Sequence, residues 1–292
     1  MNKKRIYPQW FLIIPLTLYI VFFLLPSVLG LLYSFTDWNA RSLDKINFVG
    51  IQNYKDIFTS NKDYASGIFN TLKFTVISNV IKLIPALFIA IMLQEGLRGK
   101  NVYRTILYLP SILPFLIIGL TFKSIFNYNT GLLNTALDFF HLGFMKQKWL
   151  SDLDVVWKSI FGVDAWRGIG YVMTIFLAGL NTIPRSYYEA AEIDGANFWQ
   201  RLRHITLPML SGSIMINLVF GLTYGLKVFD IIYVLTNGGP GHATEVITTY
   251  AYQLYSTGQY GMSTALNSIL LIITAVIGVV VVKVMSKKEV QQ

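Results

Sequence analysis

An all-α polytopic membrane protein with six transmembrane helices and both termini inside is the fold class this sequence predicts. Three observations carry it. Of its 292 residues, 54% are hydrophobic and only 13% charged, against roughly a quarter charged in an ordinary soluble domain. Apolar runs of about 20 residues recur, each long enough to cross a hydrocarbon core of about 30 Å. Lys and Arg concentrate on one side of those runs. In lipid only helices and closed barrels satisfy their backbone, and nothing here alternates as barrel strands do.

The first run extends from about Trp10 to Leu32, behind Lys3, Lys4 and Arg5. It is too long for the apolar region of a signal peptide, roughly 7–15 residues, so it reads as an uncleaved span. Tyr33 to about Asn70 reads as an external loop with some short helix. The second span is expected over about Thr71–Leu93. A short basic loop with Arg98 and Lys100 leads through Arg104 to a third span ending near Phe126. Pro110 and Pro114 are expected to kink that span or break its hydrogen-bond ladder. A loop to about Asp154 precedes the fourth span, about Val155–Leu180. The fifth is expected over about Met209–Leu235 and the sixth over about Met262–Val284, separated by a loop that begins NGGPGHATE.

With the N-terminus inside, the inner side holds Lys3, Lys4, Arg5, Arg98, Lys100, Arg104, Arg185, Arg201, Arg203, Lys287 and Lys288. The last external loop, Asn237–Gly261, has no Lys or Arg. The bias sets the orientation N-in and C-in. It also accounts for the net charge of +9 without nucleic acid as a partner; membrane lipid is the expected surrounding.

The most polar continuous segment between the spans, Pro184–Pro208, is then cytoplasmic. It reads as two short helices. Ser186 and Glu189 have capping-box spacing, as do Asn197 and Gln200. Gly195 between them suits a left-handed helix end, and Pro208 marks the start of the next apolar segment.

Enzyme chemistry finds no footing. There is no cysteine, and the three histidines, His141, His204 and His242, are scattered, without metal-ligand spacing such as HExxH. Neither a GxSxG nucleophile elbow nor a GxxxxGK[ST] phosphate loop occurs. No catalytic residue, metal site or cofactor is expected within the chain. Ionisable residues inside spans are the functional flag: Lys82, Lys123, Asp164, Arg167, Lys227 and Asp230. Asp164 with Arg167, and Lys227 with Asp230, lie three apart on a helix face and are expected to pair, which leaves Lys82 without a local partner. Tyr171, Thr223, Tyr224 and Asn267 are polar positions on later spans, candidates for a substrate pathway or for helix packing. Gly238–Gly241 reads as a tight external turn.

Glu189-Ala190-Ala191, three residues, Gly195, nine residues, then Ile205-Thr206-Leu207-Pro208 resembles the EAA signature of permease subunits of binding-protein-dependent ABC importers. Trp166-Arg167, FLAGLNTIP at Phe176–Pro184, FVGIQNY at Phe48–Tyr54, Asn70-Thr71 and VFDIIYVLTNGGP at Val228–Pro240 are similar to its carbohydrate branch. The resemblance implies one importer transmembrane domain over residues 1–292, with a core of about 70–286. Residues 184–208 would be its coupling helix–turn–helix between helices 4 and 5, docking on an ATPase through Glu189, Ala190, Ala191, Asp194 and Gly195. It implies a second homologous permease as heterodimer partner, two ATP-binding subunits that hold ATP and Mg, and an extracellular solute-binding protein facing Gly238, Gly239 and Pro240. The setting would be a bacterial cytoplasmic membrane. The cargo would be a sugar or oligosaccharide; glycerol-3-phosphate or a related polyol phosphate is the alternative within the family. An ion-coupled secondary transporter is the alternative outside it.

Overall fold

A computed structural model of the chain describes residues 9–41, 45–59, 62–96 and 98–289. Those residues are nearly all helical; an isolated antiparallel bridge between Thr36 and Phe48 is the extended pairing found among them. In order the helices are α1 (Trp10–Tyr33), α2 (Gln52–Thr59), α3 (Lys62–Gln94), α4 (Lys100–Ile112), α5 (Phe115–Ile125), α6 (Leu132–Phe139), α7 (Val156–Leu180) and α8 (Arg185–Ile193). There follow α9 (Phe198–Met209), α10 (Ser211–Leu226), α11 (Asp230–Leu235), α12 (Ile247–Ser256) and α13 (Tyr260–Glu289). Among the described residues four continuous helices are long and apolar enough to cross a membrane, and two bent pairs bring the number to six if each pair is one span.

The boundaries expected from sequence shift where backbone chemistry intervenes. The helix of the second span begins at Lys62 rather than Thr71; Thr71 and Thr75 lie inside it, their hydroxyls returned to the carbonyls of Gly67 and Thr71, 2.8 and 2.7 Å away. The third bends by 96° between α4 and α5. Pro110 lies inside α4, and the break falls at Leu113 and Pro114, both in extended conformation. The fifth does not run on to Leu235: α10 stops at Leu226, and α11 starts afresh at Asp230. Pro208 does not open the next span. The α9 helix runs past it, and the 69° bend follows before Ser211. A π turn at Leu202–Thr206 lies just upstream of Pro208, and another at Ile20–Leu24 just upstream of Pro26. A proline ring clashes with the carbonyl four residues back, and a widened turn makes room for it.

The chain divides into two compact units, residues 1–65 with 250–272 and residues 66–249 with 273–292. In the first, the Phe48–Tyr54 motif holds the exit of α1. Asn53 donates its amide to the carbonyls of Ser34 and Thr36, both at 2.8 Å, and the Tyr54 and Ser34 hydroxyls bond at 2.6 Å. Asn47 donates a side-chain and a backbone N–H to Asp37, which keeps that carboxyl below the usual carboxylate range. Side-chain and backbone bonds to the charged form have that effect.

The second unit has two buried clusters. One gathers Phe74, Ile160, Phe161, Ile232 and Leu235; the other gathers Ala86, Ala90, Met173, Phe176, Leu180 and Leu210. Between membrane helices, close approach of backbones substitutes for hydrophobic drive. A Cβ on Gly170 of α7 would meet the Leu107 carbonyl oxygen of α4 at 1.9 Å, and one on Gly225 of α10 would meet the Thr75 Cα of α3 at 2.7 Å. Gly170→Ala is therefore expected to lower the stability of the isolated chain by about 1–3 kcal/mol through overpacking. Gly162→Ala on the same helix, which opens onto empty space, is expected to leave it unchanged or raise it. Thermal unfolding in detergent measures both, and equal melting temperatures would contradict the close packing.

Candidate functional site

A cavity of about 530 Å³ opens in the second unit among α3, α4, α7 and α10. Its size falls in the range of small-ligand pockets, roughly 300–1,000 Å³. Tyr171 and Tyr224, two of the four positions singled out as a candidate pathway, line it. Thr223 lies instead on a neighbouring depression with Lys227 and Asp230. Asn267 is exposed on α13 in the first unit and lines neither.

The cavity is built around a buried ion pair. Lys82 Nζ of α3 lies 3.0 Å from Asp164 Oδ2 of α7. Ser78 donates to the same oxygen at 2.6 Å, and the Tyr224 hydroxyl donates to Oδ1 at 2.8 Å. The Lys82 ammonium also lies 4.5 Å from the centre of the Tyr224 ring. The expected Asp164–Arg167 pair is corrected: one helix turn brings the residues to one face, but Lys82 from another helix reaches the carboxylate. Arg167 instead lays its guanidinium 3.5 Å over the Phe115 ring, which stacks on Tyr224 at 5.9 Å. Among the described residues no ion pair joins Lys227 to Asp230 either, since the helix breaks between them.

Two polar atoms of the lining residues are buried without a hydrogen bond. Asn217 is 2% exposed, and its Oδ1 is buried without a hydrogen bond. Arg167 Nε is likewise buried and unbonded. Gly168 and Gly221 make room for the cavity's polar side chains: a Cβ would strike Lys82 Cδ at 2.5 Å from the first and Asn79 Oδ1 at 1.7 Å from the second. Sequence reasoning flagged Lys82, Asp164 and Arg167 by their charge. It passed over Asn79, Ser111 and Asn217, although amides within apolar runs carry the same signal in weaker form.

The cytoplasmic segment forms its two helices with the turn expected. Gly195 takes φ +73°, and Asn197 and Gln200 exchange both capping bonds, at 2.8 and 3.0 Å. The Ser186–Glu189 box does not form. Pro184 is the N-cap of α8, so Ser186 already lies inside the helix. Glu189, Ala190, Asp194 and Gly195 are exposed and Ala191 half-buried, along one rim of the turn. Beside them Ile193 is 87% exposed. Glu192 is ion-paired to Arg201 across the turn, and Tyr188 reaches Thr206 at 3.1 Å.

At the NGGPG turn Gly238 takes φ +81°, and a Cβ there would meet Glu245 Cδ at 2.1 Å. Asn70 donates to the carbonyls of Ala243 and Glu245, at 3.1 and 2.9 Å, and Thr71 accepts the Ile247 N–H at 3.0 Å. The turn is thus fixed to α3. Gly238 is buried and Gly239 and Pro240 half-buried; Asn237, Gly241 and His242 form its exposed rim. No group of His, Asp or Glu able to hold a metal ion occurs among the described residues.

Residues 86–288 match the family described as "Binding-protein-dependent transport system inner membrane component". The chain belongs to that family. It is a multi-pass component of the cytoplasmic membrane and a transport subunit, not an enzyme. Among similar proteins, the multiple sugar-binding transport system permease protein MsmF of Streptococcus mutans is 36% identical over 99% of both chains. The trehalose/maltose transport system permease protein MalF of Thermococcus litoralis is 34% identical over 94% of this chain and 92% of its own. The fold is similar to a chain of a bacterial ABC transporter involved in import of the acidic polysaccharide alginate, with TM-score 0.82 and 22% identity over 95% and 94% of the two chains.

Removing one partner of a buried ion pair leaves an uncompensated charge, at a cost of about 3–5 kcal/mol. Asp164→Asn is expected to destabilise the chain by that order. Lys82→Met combined with Asp164→Leu should restore most of the loss. Chemical unfolding in detergent tests this, and additive effects of the two sites would contradict direct pairing.

Proposed function

We propose that this permease subunit serves an ABC importer of a sugar or oligosaccharide. The cavity of about 530 Å³ carries the reading. Tyrosine faces suit the C–H faces of sugar rings. Asn79, Ser111 and Asn217 put amide and hydroxyl groups in the same lining, the polar chemistry that sugar hydroxyls require. Relatives named for multiple sugars and for trehalose and maltose support the same cargo class. A polyol phosphate is less well served, because Lys82 is already neutralised by Asp164 and Arg167 is drawn onto Phe115.

In this reading the chain forms half of the pathway with a second, homologous permease. Two ATPase subunits hold ATP and Mg, and an extracellular solute-binding protein delivers the cargo to the external turns. The rim of Glu189, Ala190, Ala191, Asp194 and Gly195 docks on an ATPase. Its small side chains let a partner approach closely. Because the Ser186 box does not form, the Glu189 carboxylate stays available to a basic partner. The exposed Ile193 offers the apolar anchor such a contact needs.

Two measurements on the reconstituted transporter test this. Tyr171→Ala is expected to lower ATP-driven uptake of labelled maltose or another cognate sugar by about tenfold, one aromatic contact's worth, with binding-protein affinity unchanged. Unaltered uptake would remove the cavity from the pathway. Gly195→Pro forces φ to about −65° where the turn requires a positive value. It is expected to abolish uptake while the subunit still inserts in the membrane. Wild-type uptake together with wild-type substrate-stimulated ATPase activity would refute the docking role.

A further inference from the structure

Between α5 and α7, on the external side, the chain folds into a hairpin that the transport reading leaves unused. The α6 helix and the turn after it present Phe139, Phe140 and Phe144 outward, at 77%, 66% and 83% exposure. This surface is held in place. Asn134, 2% exposed, donates to the carbonyls of Tyr128 and Gln147 and accepts from Trp149 Nε1 at 2.8 Å. Lys146 reaches back to Asp138 at 2.7 Å. A rigid frame therefore displays three phenylalanines to the outside of the protein.

Beside the hairpin lies a depression of about 480 Å³, lined by Lys123, Lys148, Tyr128 and Asn127 and also by Gly239 and Pro240 of the NGGPG turn. No carboxylate is among the described residues that line it, and neither lysine forms an ion pair among them. The Lys148 ammonium lies 5.9 Å over the Tyr128 ring. The position of the hairpin is bounded by its neighbours. It starts seven residues after Ile125 ends one membrane segment, and Val156 begins the next eleven residues after Met145. Seven residues span at most about 24 Å and a helix the length of α6 about 12 Å, which leaves the outer membrane boundary within reach of the aromatic face.

We propose that this hairpin is an interfacial lipid site: Phe139, Phe140 and Phe144 enter the outer leaflet, and Lys123 and Lys148 take the phosphate of an anionic phospholipid headgroup. Phenylalanine beside lysine is the composition of surfaces that lie in a bilayer interface. Protein-binding patches also collect phenylalanine but are depleted of Lys, so it is the lysines beside these rings that favour an anionic lipid. Continuity with two membrane segments puts lipid within reach without any partner. Tyr128 belongs to the same level, where aromatic rings with a polar tip gather.

The chain has no cysteine, so Phe144→Cys gives it a unique labelling position; the complete transporter is assembled with cysteine-free partner subunits and reconstituted in phosphatidylglycerol/phosphatidylethanolamine nanodiscs. A polarity-sensitive fluorophore there is expected to be quenched by a spin label near the lipid headgroup. It should be shielded from aqueous iodide relative to the same label at Thr130→Cys, on the polar turn before α6. Lys123→Gln with Lys148→Gln is expected to weaken retention of phosphatidylglycerol, read by native mass spectrometry, by about tenfold or more, with the Phe144→Cys shielding kept. Iodide access equal to that at Thr130→Cys would overturn the proposal. So would shielding that arises only when the solute-binding protein is added, which would assign the face to that protein. Unchanged phosphatidylglycerol retention in the double variant would overturn the headgroup site.

Discussion

The ion pair of Lys82 and Asp164 is the interaction on which the second unit turns. Two charges inside membrane segments cannot be left alone. Their pairing, closed by the hydroxyls of Ser78 and Tyr224, ties α3, α7 and α10 together. It also sets the chemistry of the cavity. With Asp164 and Lys82 satisfied by each other, the wall offers aromatic faces, amides and a single stacked guanidinium, not a concentrated field of one sign.

The second constraint is backbone satisfaction in lipid. The helices break, but each break has a local cause. Pro114 closes α4 against α5; Lys227–Phe229 separate α10 from α11; a π turn widens the helix before Pro208. Glycines lie where helices cross. Gly170 leaves room for the Leu107 carbonyl, and Gly221 for the Asn79 side chain. Close crossing and a roomy polar cavity are thus two results of the same small residues.

The cytoplasmic segment follows the opposite logic. Its turn depends on one left-handed glycine and one capping box, and its outward rim is small, acidic and apolar by turns. An ion pair between Glu192 and Arg201 bridges the turn, and Ile193 beside it stays exposed.

The sequence by itself determined the membrane character, the number and order of the apolar segments and their orientation. Those properties follow from local composition and from the period and charge of short stretches. It also determined the Gly195 turn and the Asn197 cap, whose chemistry lies within four residues. The tertiary structure decided which charges pair, because Lys82 and Asp164 are 82 positions apart, and no helical periodicity relates two different helices. It likewise moved the N-cap of α8 to Pro184 and turned Gly238 inward, where the crowding Glu245 side chain and the clamp from Asn70 come from the fold. Tyr171 and Tyr224 were legible as polar residues in apolar runs. That they share a cavity with Asn217, while Thr223 and Asn267 lie elsewhere, was set by helix rotation, which follows from packing rather than from any one segment.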